Sequence, residues 1–469
     1  MLNIESIVKL KNEYRIKGTN NDFYLLSLNS FERYSVNNDQ KDVIQELDGT
    51  KTVKEIQEKL SYKQEELLGL IKDLCELDLV EILDFRNGLF DSSIRQSCST
   101  SPYLREMHID ITSRCNLKCL HCYQEPYLKR EIEEMSTVEV KKALDQIGGL
   151  NVEKVLISGG EPFIRNDLFE LIDYAFQKGV IVNAIYTNGT YYDSNDLIKL
   201  CRYGPPIVLA VSLDGSDRES NDFLRGAGSF DKTMKFLEKI KEEKRKGSRV
   251  TCMIDTIVHP YNFRKLYDIF NLLKYTGCIF RWRVSLPRMQ GSFLNNEELL
   301  FVNKEQVLNE YEGFIRWYLA EEIEKCTMDV QIESFFQTEM IHRREAQIFS
   351  KETCCCEYKK DAIAIKPNGD VTPCTSFTDL IFGNLYHNSL QEIWHFPQTQ
   401  KIKRIKTSEV KECNQCEYLY LCGTGCRKIA YDIHGSLYAK DDSICIVYKF
   451  FHERIMPLLS SYGINFTIA

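Results

Sequence analysis

The 469-residue chain lacks long apolar runs and an excess of positive charge. Residues 1–5 include an acid and no apolar segment follows them, so a secretory signal is not expected. No run approaches the roughly 18 apolar residues of a membrane span. The 60 Lys and Arg face 68 Asp and Glu, for a net charge of −8, which disfavours nucleic acid and anionic membranes as partners. These absences predict a cytoplasmic protein that binds neither membrane nor nucleic acid.

Glycine and proline are also sparse, at 24 and 11 residues, which excludes fibrous and low-complexity classes. Cysteine, by contrast, is abundant, with 18 residues. A disulfide framework suits short secreted chains, whereas thiols in a long cytosolic chain stay reduced. The cysteines therefore indicate metal binding. At roughly 150 residues per domain, the length suggests about three domains.

Residues 1–95 predict a winged-helix-like α+β domain without clustered cysteines. Three short strands come first, at 14–16, 23–28 and 33–36. Two capping boxes, Thr52 with Glu55 and Ser61 with Gln64, predict the starts of two helices. The third helix has more acidic than basic side chains, which argues against DNA binding. A serine-rich stretch at residues 87–102 predicts a domain boundary.

Residues 96–330 predict an α/β domain, a partial parallel (β/α)6 barrel. Six apolar, β-branched runs alternate with helical stretches. The runs lie at 108–111, 155–157, 180–185, 207–211, 253–258 and 279–284. In such barrels the loops that follow the strands carry the functional site. Residues 331–469 predict a third, cysteine-rich domain.

Three cysteines, Cys115, Cys119 and Cys122, follow the first predicted strand on one loop. Zinc usually takes four ligands in two separated pairs, whereas three close cysteines suit a cubane iron–sulfur cluster with one free iron. A zinc loop completed by His121 is the alternative. Glycine-containing turns follow the next three strands and let a ligand approach the backbone closely. These turns are Ser158-Gly159-Gly160-Glu161-Pro162, Thr187-Asn188-Gly189 and Ser212-Leu213-Asp214-Gly215.

The cysteine loop and the GGEP turn together resemble the radical S-adenosylmethionine (SAM) superfamily over residues 104–285. The resemblance implies a [4Fe-4S] cluster held by Cys115, Cys119 and Cys122, with SAM chelating the fourth iron. It also implies a set of residues that contact SAM, and it identifies no particular catalytic side chain beyond the cluster and SAM, so that role stays unknown. The implied SAM contacts are His121, Gly159, Gly160, Glu161, Asn188, Ser212 and Arg225.

A second group of cysteines lies in the C-terminal segment, and two interleaved zinc sites would also use such a group. Cys356 and Cys374 flank Gly369, and the later members are Cys413, Cys416, Cys422, Cys426 and Cys445. This spacing resembles the SPASM domain, which implies two auxiliary iron–sulfur clusters, both [4Fe-4S]. One would be held by Cys413, Cys416, Cys422 and Cys445, and the other, nearer the barrel, by Cys356, Cys374 and Cys426. The fourth position of the second cluster is then open to substrate, or filled by Cys354 or Cys355.

The N-terminal segment resembles the peptide-recognition element of ribosomal peptide maturases, similar to the chaperone-like domain of pyrroloquinoline quinone synthesis. In that element a leader peptide adds as an extra strand to a small sheet. The three segments together resemble radical SAM–SPASM maturases, including sactipeptide thioether synthases of the subtilosin maturase kind. The resemblance implies cleavage of SAM to a 5′-deoxyadenosyl radical and linkage of a cysteine sulfur to a carbon of a precursor peptide. It further implies an electron donor such as flavodoxin or ferredoxin.

Three alternatives stay open at this point. The same radical chemistry would also serve carbon–carbon crosslinking or another oxidation of a peptide. A non-peptide substrate such as a tetrapyrrole is the second alternative, although the N-terminal segment argues against it. The third is not an enzyme but a zinc-containing winged-helix regulator.

Overall fold

The computed structural model divides the chain into two compact units, each built from several stretches. It describes residues 2–11, 14–19, 22–27, 33–83, 102–125, 132–201, 203, 207–248, 250–333, 335–338, 341 and 349–464. The first unit comprises Met1–Arg105, Lys141–Lys154 and Asp173–Ile181, and the second comprises Glu106–Val140, Val155–Ile172 and Val182–Ala469. The predicted boundary near residue 95 and Cys98 lie outside the described residues.

The first unit contains two three-stranded antiparallel sheets. Its strands are β1 (Ile7–Leu10), β2 (Tyr14–Thr19), β3 (Asp22–Ser27), β4 (Arg33–Val36), β5 (Asp48–Thr52) and β6 (Val80–Leu83). In one sheet β3 lies between β2 and β4, which confirms the three predicted strands. In the other, β1 lies between β5 and β6. Neither β1 nor β5 was predicted. The segment of β5 is polar, and it adopts a strand conformation through its antiparallel pairing with β1.

Three helices complete this part of the first unit: α1 (Asn38–Glu46), α2 (Val53–Leu60) and α3 (Gln64–Glu76). The capping box of α2 is confirmed, since Glu55 N donates to Thr52 Oγ1 at 3.2 Å and Thr52 N donates to Glu55 Oε2 at 2.8 Å. The second predicted box is wrong. Ser61 adopts a left-handed conformation (φ 56°) as the C-cap of α2, and Lys63 precedes α3 without a side-chain cap.

All six predicted barrel strands are present. Their residues belong to the second unit, except Lys154, which belongs to the first. They are β7 (Glu106–Asp110), β8 (Lys154–Ser158), β9 (Val182–Thr187), β10 (Val208–Ser212), β11 (Thr251–Ile257) and β12 (Ile279–Ser285). They follow one another across the sheet in chain order, and the pairs from β8 to β12 are parallel. The α/β architecture with a parallel-sheet core is therefore confirmed.

Helices follow most of these strands, as the alternating pattern predicts. They are α4 (Thr137–Gly149), α5 (Leu168–Gln177), α6 (Ser194–Leu200), α7 (Arg218–Arg225), α8 (Ser229–Arg245), α9 (Leu266–Thr276), α10 (Ser292–Asn295), α11 (Glu297–Leu300) and α12 (Lys304–Glu321). In the part of the chain that the structure describes, no helix is long and apolar enough to cross a membrane.

Five further strands extend the barrel sheet on both sides. They are β13 (Asp329–Ile332), β14 (Phe336–Gln337), β15 (Ala362–Ile365), β16 (Asp370–Thr372) and β17 (Gly383–Asn384). On one side β13 pairs in parallel with β12. On the other, β15 pairs in parallel with β7, the strand that leads into the first cysteine loop. This pairing carries Cys356, which precedes β15, and Cys374, which follows β16, to the edge of the barrel sheet.

The chain after β17 is made of short helices that surround the remaining cysteines. They are α13 (Leu390–His395), α14 (Pro397–Lys403), α15 (Leu419–Cys422), α16 (Arg427–His434), α17 (Asp442–Phe450) and α18 (Met456–Ser461). A small apolar cluster of Ile405, Val410 and Leu419, together with Cys355 and Cys413, forms the core of this region.

Candidate active site

The glycine turn after β8 packs directly on the backbone of the first cysteine loop. Gly160 N donates to Thr112 O at 2.7 Å, and Glu161 N donates to Arg114 O at 2.8 Å. A Cβ on Gly160 would lie 2.1 Å from Arg114 O, and one on Gly159 would lie 2.4 Å from Thr112 O. The contact is therefore possible only for glycine at both positions, and it holds the loop that carries Cys115.

Glu161 joins this turn to the turn after β9. Its carboxylate is fully buried and accepts hydrogen bonds from Thr187 Oγ1 and Asn188 N, both at 2.8 Å. Burial raises the pKa of Glu161 to about 7, against the effect of these donors. Both carboxylate oxygens of Glu161 are therefore hydrogen-bonded to the turn after β9.

Asn188 connects the β9 turn to the cysteine loop. Its Nδ2 donates to Asn116 Oδ1 at 2.9 Å and lies 3.9 Å from the sulfur of Cys115. Its Oδ1 accepts from Thr190 N at 2.8 Å, which fixes the orientation of the amide. Thus the second and third turns both constrain the first cysteine.

The fourth turn contributes a buried ion pair. Arg225 Nε donates to Asp214 Oδ2 at 2.5 Å, and Arg225 Nη1 lies 4.0 Å from the sulfur of Cys119. Asp214 is fully buried and also accepts from Ile257 N at 2.7 Å. Sequence reasoning named Arg225 and the SLDG turn but missed Asp214, although it is the acidic member of that motif. Ser212, at the end of β10, is half-buried and in register with Asp255 of β11.

The loop cysteines are half-buried and lie near the Arg225–Asp214 ion pair. Burial raises the pKa of Cys119 to about 12 and that of Cys122 to about 11, and Arg225 opposes both shifts. Free thiols at these positions would therefore stay protonated, whereas iron binds the thiolate and removes the proton. Burial also lowers the pKa of His121 to about 4, so its imidazole is neutral, and its buried Nδ1 has no hydrogen-bond partner among the described residues. An orphaned polar atom here suits a site that a bound group completes.

In each of the two predicted C-terminal sets, one cysteine has its pKa raised by other members of the same set. Cys356, Cys374 and Cys426 form one set, called here the barrel-side set, in which burial and then the neighbouring thiols raise the pKa of Cys356 to about 12 against Lys403. Cys413, Cys416, Cys422 and Cys445 form the other, called the outer set, in which burial and the neighbouring thiols raise the pKa of Cys413 to about 12. Cys416 and Cys445 are exposed.

Cys354 and Cys355 have surroundings different from those of the barrel-side set. Cys355 is 6% exposed and packs in the apolar cluster with Ile405 and Val410. Cys354 forms a β-bridge with Lys406 and lies beside Glu357, Lys360 and Arg404. In the described part of the chain no three His, Cys, Asp or Glu side chains converge closely enough to hold a single metal ion, so the sets are defined by which thiols are neighbours.

A buried ion pair links the first cysteine loop to the barrel-side set. Lys366 is fully buried, and its Nζ donates to Asp110 Oδ2 at 2.8 Å, Gln124 Oε1 at 3.2 Å and Thr375 O at 2.7 Å. Asp110 ends β7, Gln124 follows Cys122 by two positions, and Thr375 follows Cys374. One side chain therefore holds the segments that carry both cysteine groups.

A parallel partial barrel with three thiols after its first strand, and two more thiol sets beside it, defines an iron–sulfur enzyme that works with a cofactor at the mouth of the barrel. A model of the "Radical SAM superfamily" matches residues 109–273, and a model of the SPASM "Iron-sulfur cluster-binding domain" matches residues 355–417. The chain belongs to the radical SAM superfamily.

Two curated relatives and one solved structure show how far the similarity extends. Fe-coproporphyrin III synthase of Methanosarcina barkeri is 30% identical over 371 residues, which are 72% of this chain and 87% of that protein. The subtilosin biosynthesis protein AlbA of Bacillus subtilis is 25% identical over 418 residues, 86% of each chain. The crystal structure of Streptococcus suis SuiB bound to precursor peptide SuiA covers 93% of this chain and 99% of that one, with TM-score 0.66 and 16% identity.

Family membership confirms several sequence predictions. The radical SAM domain binds a [4Fe-4S] cluster and SAM, and the SPASM domain binds auxiliary iron–sulfur clusters. The protein is thus a radical enzyme of oxidoreductase type and a SPASM-family maturase of peptides or related substrates. The zinc-containing regulator is wrong.

Proposed function

We propose that this enzyme matures a ribosomally synthesised peptide by linking a cysteine sulfur to a carbon of another residue. The observation that carries the proposal is the extent of the match to AlbA, which includes 86% of this chain, against 72% for the coproporphyrin synthase. The longer match includes more of this chain than the family's barrel and SPASM models do. AlbA is named for biosynthesis of the bacteriocin subtilosin.

The first unit supplies a surface suited to a leader peptide. In the sheet β2-β3-β4 the outer strands β2 and β4 each pair with β3 alone among the described strands, so each has one open edge there. An extended peptide binds such an edge through main-chain hydrogen bonds, and its alternate side chains give specificity. We assign the leader of the precursor to this sheet.

The residue assignments of the barrel site follow from its contacts. Cys115, Cys119 and Cys122 would hold the cluster, which, when bound and reduced, cleaves SAM to methionine and a 5′-deoxyadenosyl radical that abstracts hydrogen from the substrate. Glu161 and Asn188 orient the loop through the bonds given above. Arg225 places a positive charge beside Cys119. Gly159, Gly160, His121 and Ser212 would border SAM.

The barrel-side set would bind the auxiliary cluster through three thiols. Cys374 and Cys426 act on the pKa of Cys356, while Cys354 and Cys355 have other neighbours, which supports a set of three. A cluster held by three thiols would leave one coordination position for the thiolate of the substrate cysteine. The outer set, Cys413, Cys416, Cys422 and Cys445, would hold the second auxiliary cluster with a complete set of four thiols. A flavodoxin or ferredoxin would supply the electrons.

A tetrapyrrole substrate is the second candidate, because the relative with 30% identity is an Fe-coproporphyrin III synthase. The two candidates differ in the reacting group. Formation of a peptide thioether removes one free thiol and releases two hydrogen atoms in total. A porphyrin has no thiol.

The test uses reconstituted enzyme with SAM and dithionite under anaerobic conditions. One sample receives a cysteine-containing precursor peptide, and a parallel sample receives the tetrapyrrole precursor of Fe-coproporphyrin III, the product for which the relative is named. We expect the peptide to lose two hydrogen atoms per crosslink and to resist alkylation at one cysteine, with the tetrapyrrole unchanged. Conversion of the tetrapyrrole alone, or a peptide that loses hydrogen but keeps every thiol, would contradict thioether formation.

A further inference from the structure

Lys403 is a buried cation without an acidic partner, and it lies beside the barrel-side set. The residue ends α14 and is 5% exposed. None of the carboxylates in the described part of the chain forms an ion pair with it, and its Nζ donates to Pro373 O at 3.1 Å. An ammonium group has three N–H donors, so this carbonyl satisfies only part of its capacity.

Burial of the Lys403 ammonium group is unfavourable unless a negative charge lies near it. Removing an ammonium ion from water carries a large free-energy penalty in proteins. The carbonyl oxygen that accepts from Lys403 Nζ belongs to Pro373, the residue directly before Cys374. The negative charge available to compensate Lys403 is therefore that of the cluster that Cys374 and its neighbours would hold.

A second cation lies on the same set. Arg288, on the segment after β12, lies beside Cys426 and Cys374, and no carboxylate in the described part of the chain forms an ion pair with it. The cations near the outer set are Lys440, which is exposed and paired with Asp442 at 2.8 Å, and Arg427, which is buried and acts on Cys413 and on Cys356 alike. Lys403 and Arg288 act on the barrel-side cysteines in addition to Arg427.

We propose that Lys403 is a positioning residue that holds the reduction potential of the barrel-side cluster high enough for it to accept an electron from the substrate. A nearby positive charge stabilises the reduced cluster, which carries one more negative charge, and the effect is strong where water is excluded. Burial alone would favour the less charged, oxidised state. Lys403 opposes that preference.

The electron accounting rests on the proposed function. Hydrogen abstraction leaves one unpaired electron on a substrate carbon, and the thiol proton is lost to solvent when the substrate thiolate binds. Formation of the carbon–sulfur bond then releases one electron, which the oxidised cluster takes up. The direction of the potential shift itself does not depend on which substrate is oxidised.

The test is a redox titration of the reconstituted full-length enzyme, followed by electron paramagnetic resonance, with the barrel-side signal identified by its loss in Cys374→Ala. In Lys403→Met we expect the ratio of reduced to oxidised barrel-side cluster at a fixed potential to fall at least about tenfold, which equals about 59 mV for one electron. Lys403→Arg, which keeps the charge, should restore the potential. Lys440→Met is the matched control and should leave the barrel-side signal unshifted.

An unchanged potential in Lys403→Met, or an equal shift in Lys403→Arg, would overturn the proposal. If Lys403→Met does not retain the barrel-side cluster, Lys403→Gln is titrated in its place, with the same expected fall in potential. Loss of iron from all three variants would overturn the proposal. Failure of the peptide assay with a shifted potential would remove the proposed function and leave the role of Lys403 intact.

Discussion

Replacing Gly160 by alanine is expected to reduce formation of 5′-deoxyadenosine by about 100-fold or more. The new Cβ would lie 2.1 Å from Arg114 O and 3.1 Å from Cys115 N, so the loop of Cys115 must move away from the turn. A displacement of about 1 Å in a positioned reacting group is enough for a loss of about 100-fold. The measurement is 5′-deoxyadenosine released per reduced enzyme, with iron content determined on the same sample.

Gly69→Ala is the control for this substitution. Gly69 lies within α3, and a Cβ there would meet nothing within 4 Å. Alanine is favoured over glycine inside a helix by about 0.5–1 kcal/mol, so this variant should be slightly more stable and equally active. Full activity of Gly160→Ala, with its normal iron content, would show that the turn does not position the cysteine loop.

Replacing Lys366 by methionine is expected to lower the free energy of unfolding of the barrel by about 3–5 kcal/mol. The substitution leaves Asp110 as a buried carboxylate without its cation, and Asp110 Oδ1 has no hydrogen-bond partner even with Lys366 present. Burying an unpaired charge is among the largest penalties that one substitution can impose. Urea unfolding of the anaerobic holoenzyme measures the change.

Two variants make this experiment specific. Lys406→Met removes a lysine of an exposed pair with Glu352, in which both side chains are at least half exposed, and it should leave the urea midpoint unchanged. The double variant Asp110→Leu/Lys366→Met removes both charges and should recover part of the loss, because no unpaired ion is left. An Lys366→Met enzyme as stable as the wild type would contradict the role given to this pair.

The sequence was most informative where local patterns determine structure. The six barrel strands and the turns that follow them were predicted correctly, because apolar, β-branched runs and glycine turns are short-range signals. The capping box at Thr52 was also predicted, whereas Ser61 was misread, since a serine followed by glutamine at the right spacing also occurs where a helix ends. Local spacing alone cannot distinguish the two ends.

Contacts between distant segments were beyond sequence reasoning. The pairing of β15 with β7 joins residues some 250 positions apart, and no local pattern indicates the partner strand. For the same reason nothing marked Lys366 or Lys403 among the 60 basic residues, because each becomes distinctive only when burial removes it from water. The cysteines could be recognised because their spacing forms a motif. The lysines that lie near them in the fold belong to no motif and could not be recognised.

The central claim is that the first cysteine loop supports reductive cleavage of SAM. The most direct test is to purify and reconstitute the enzyme anaerobically, add SAM and dithionite, and measure 5′-deoxyadenosine for the wild type and for the Cys115→Ala/Cys119→Ala/Cys122→Ala variant. The account predicts 5′-deoxyadenosine from the wild type and none above background from the variant, which keeps its auxiliary iron. An iron-loaded wild type that forms no 5′-deoxyadenosine, or a variant that forms as much as the wild type, would contradict it.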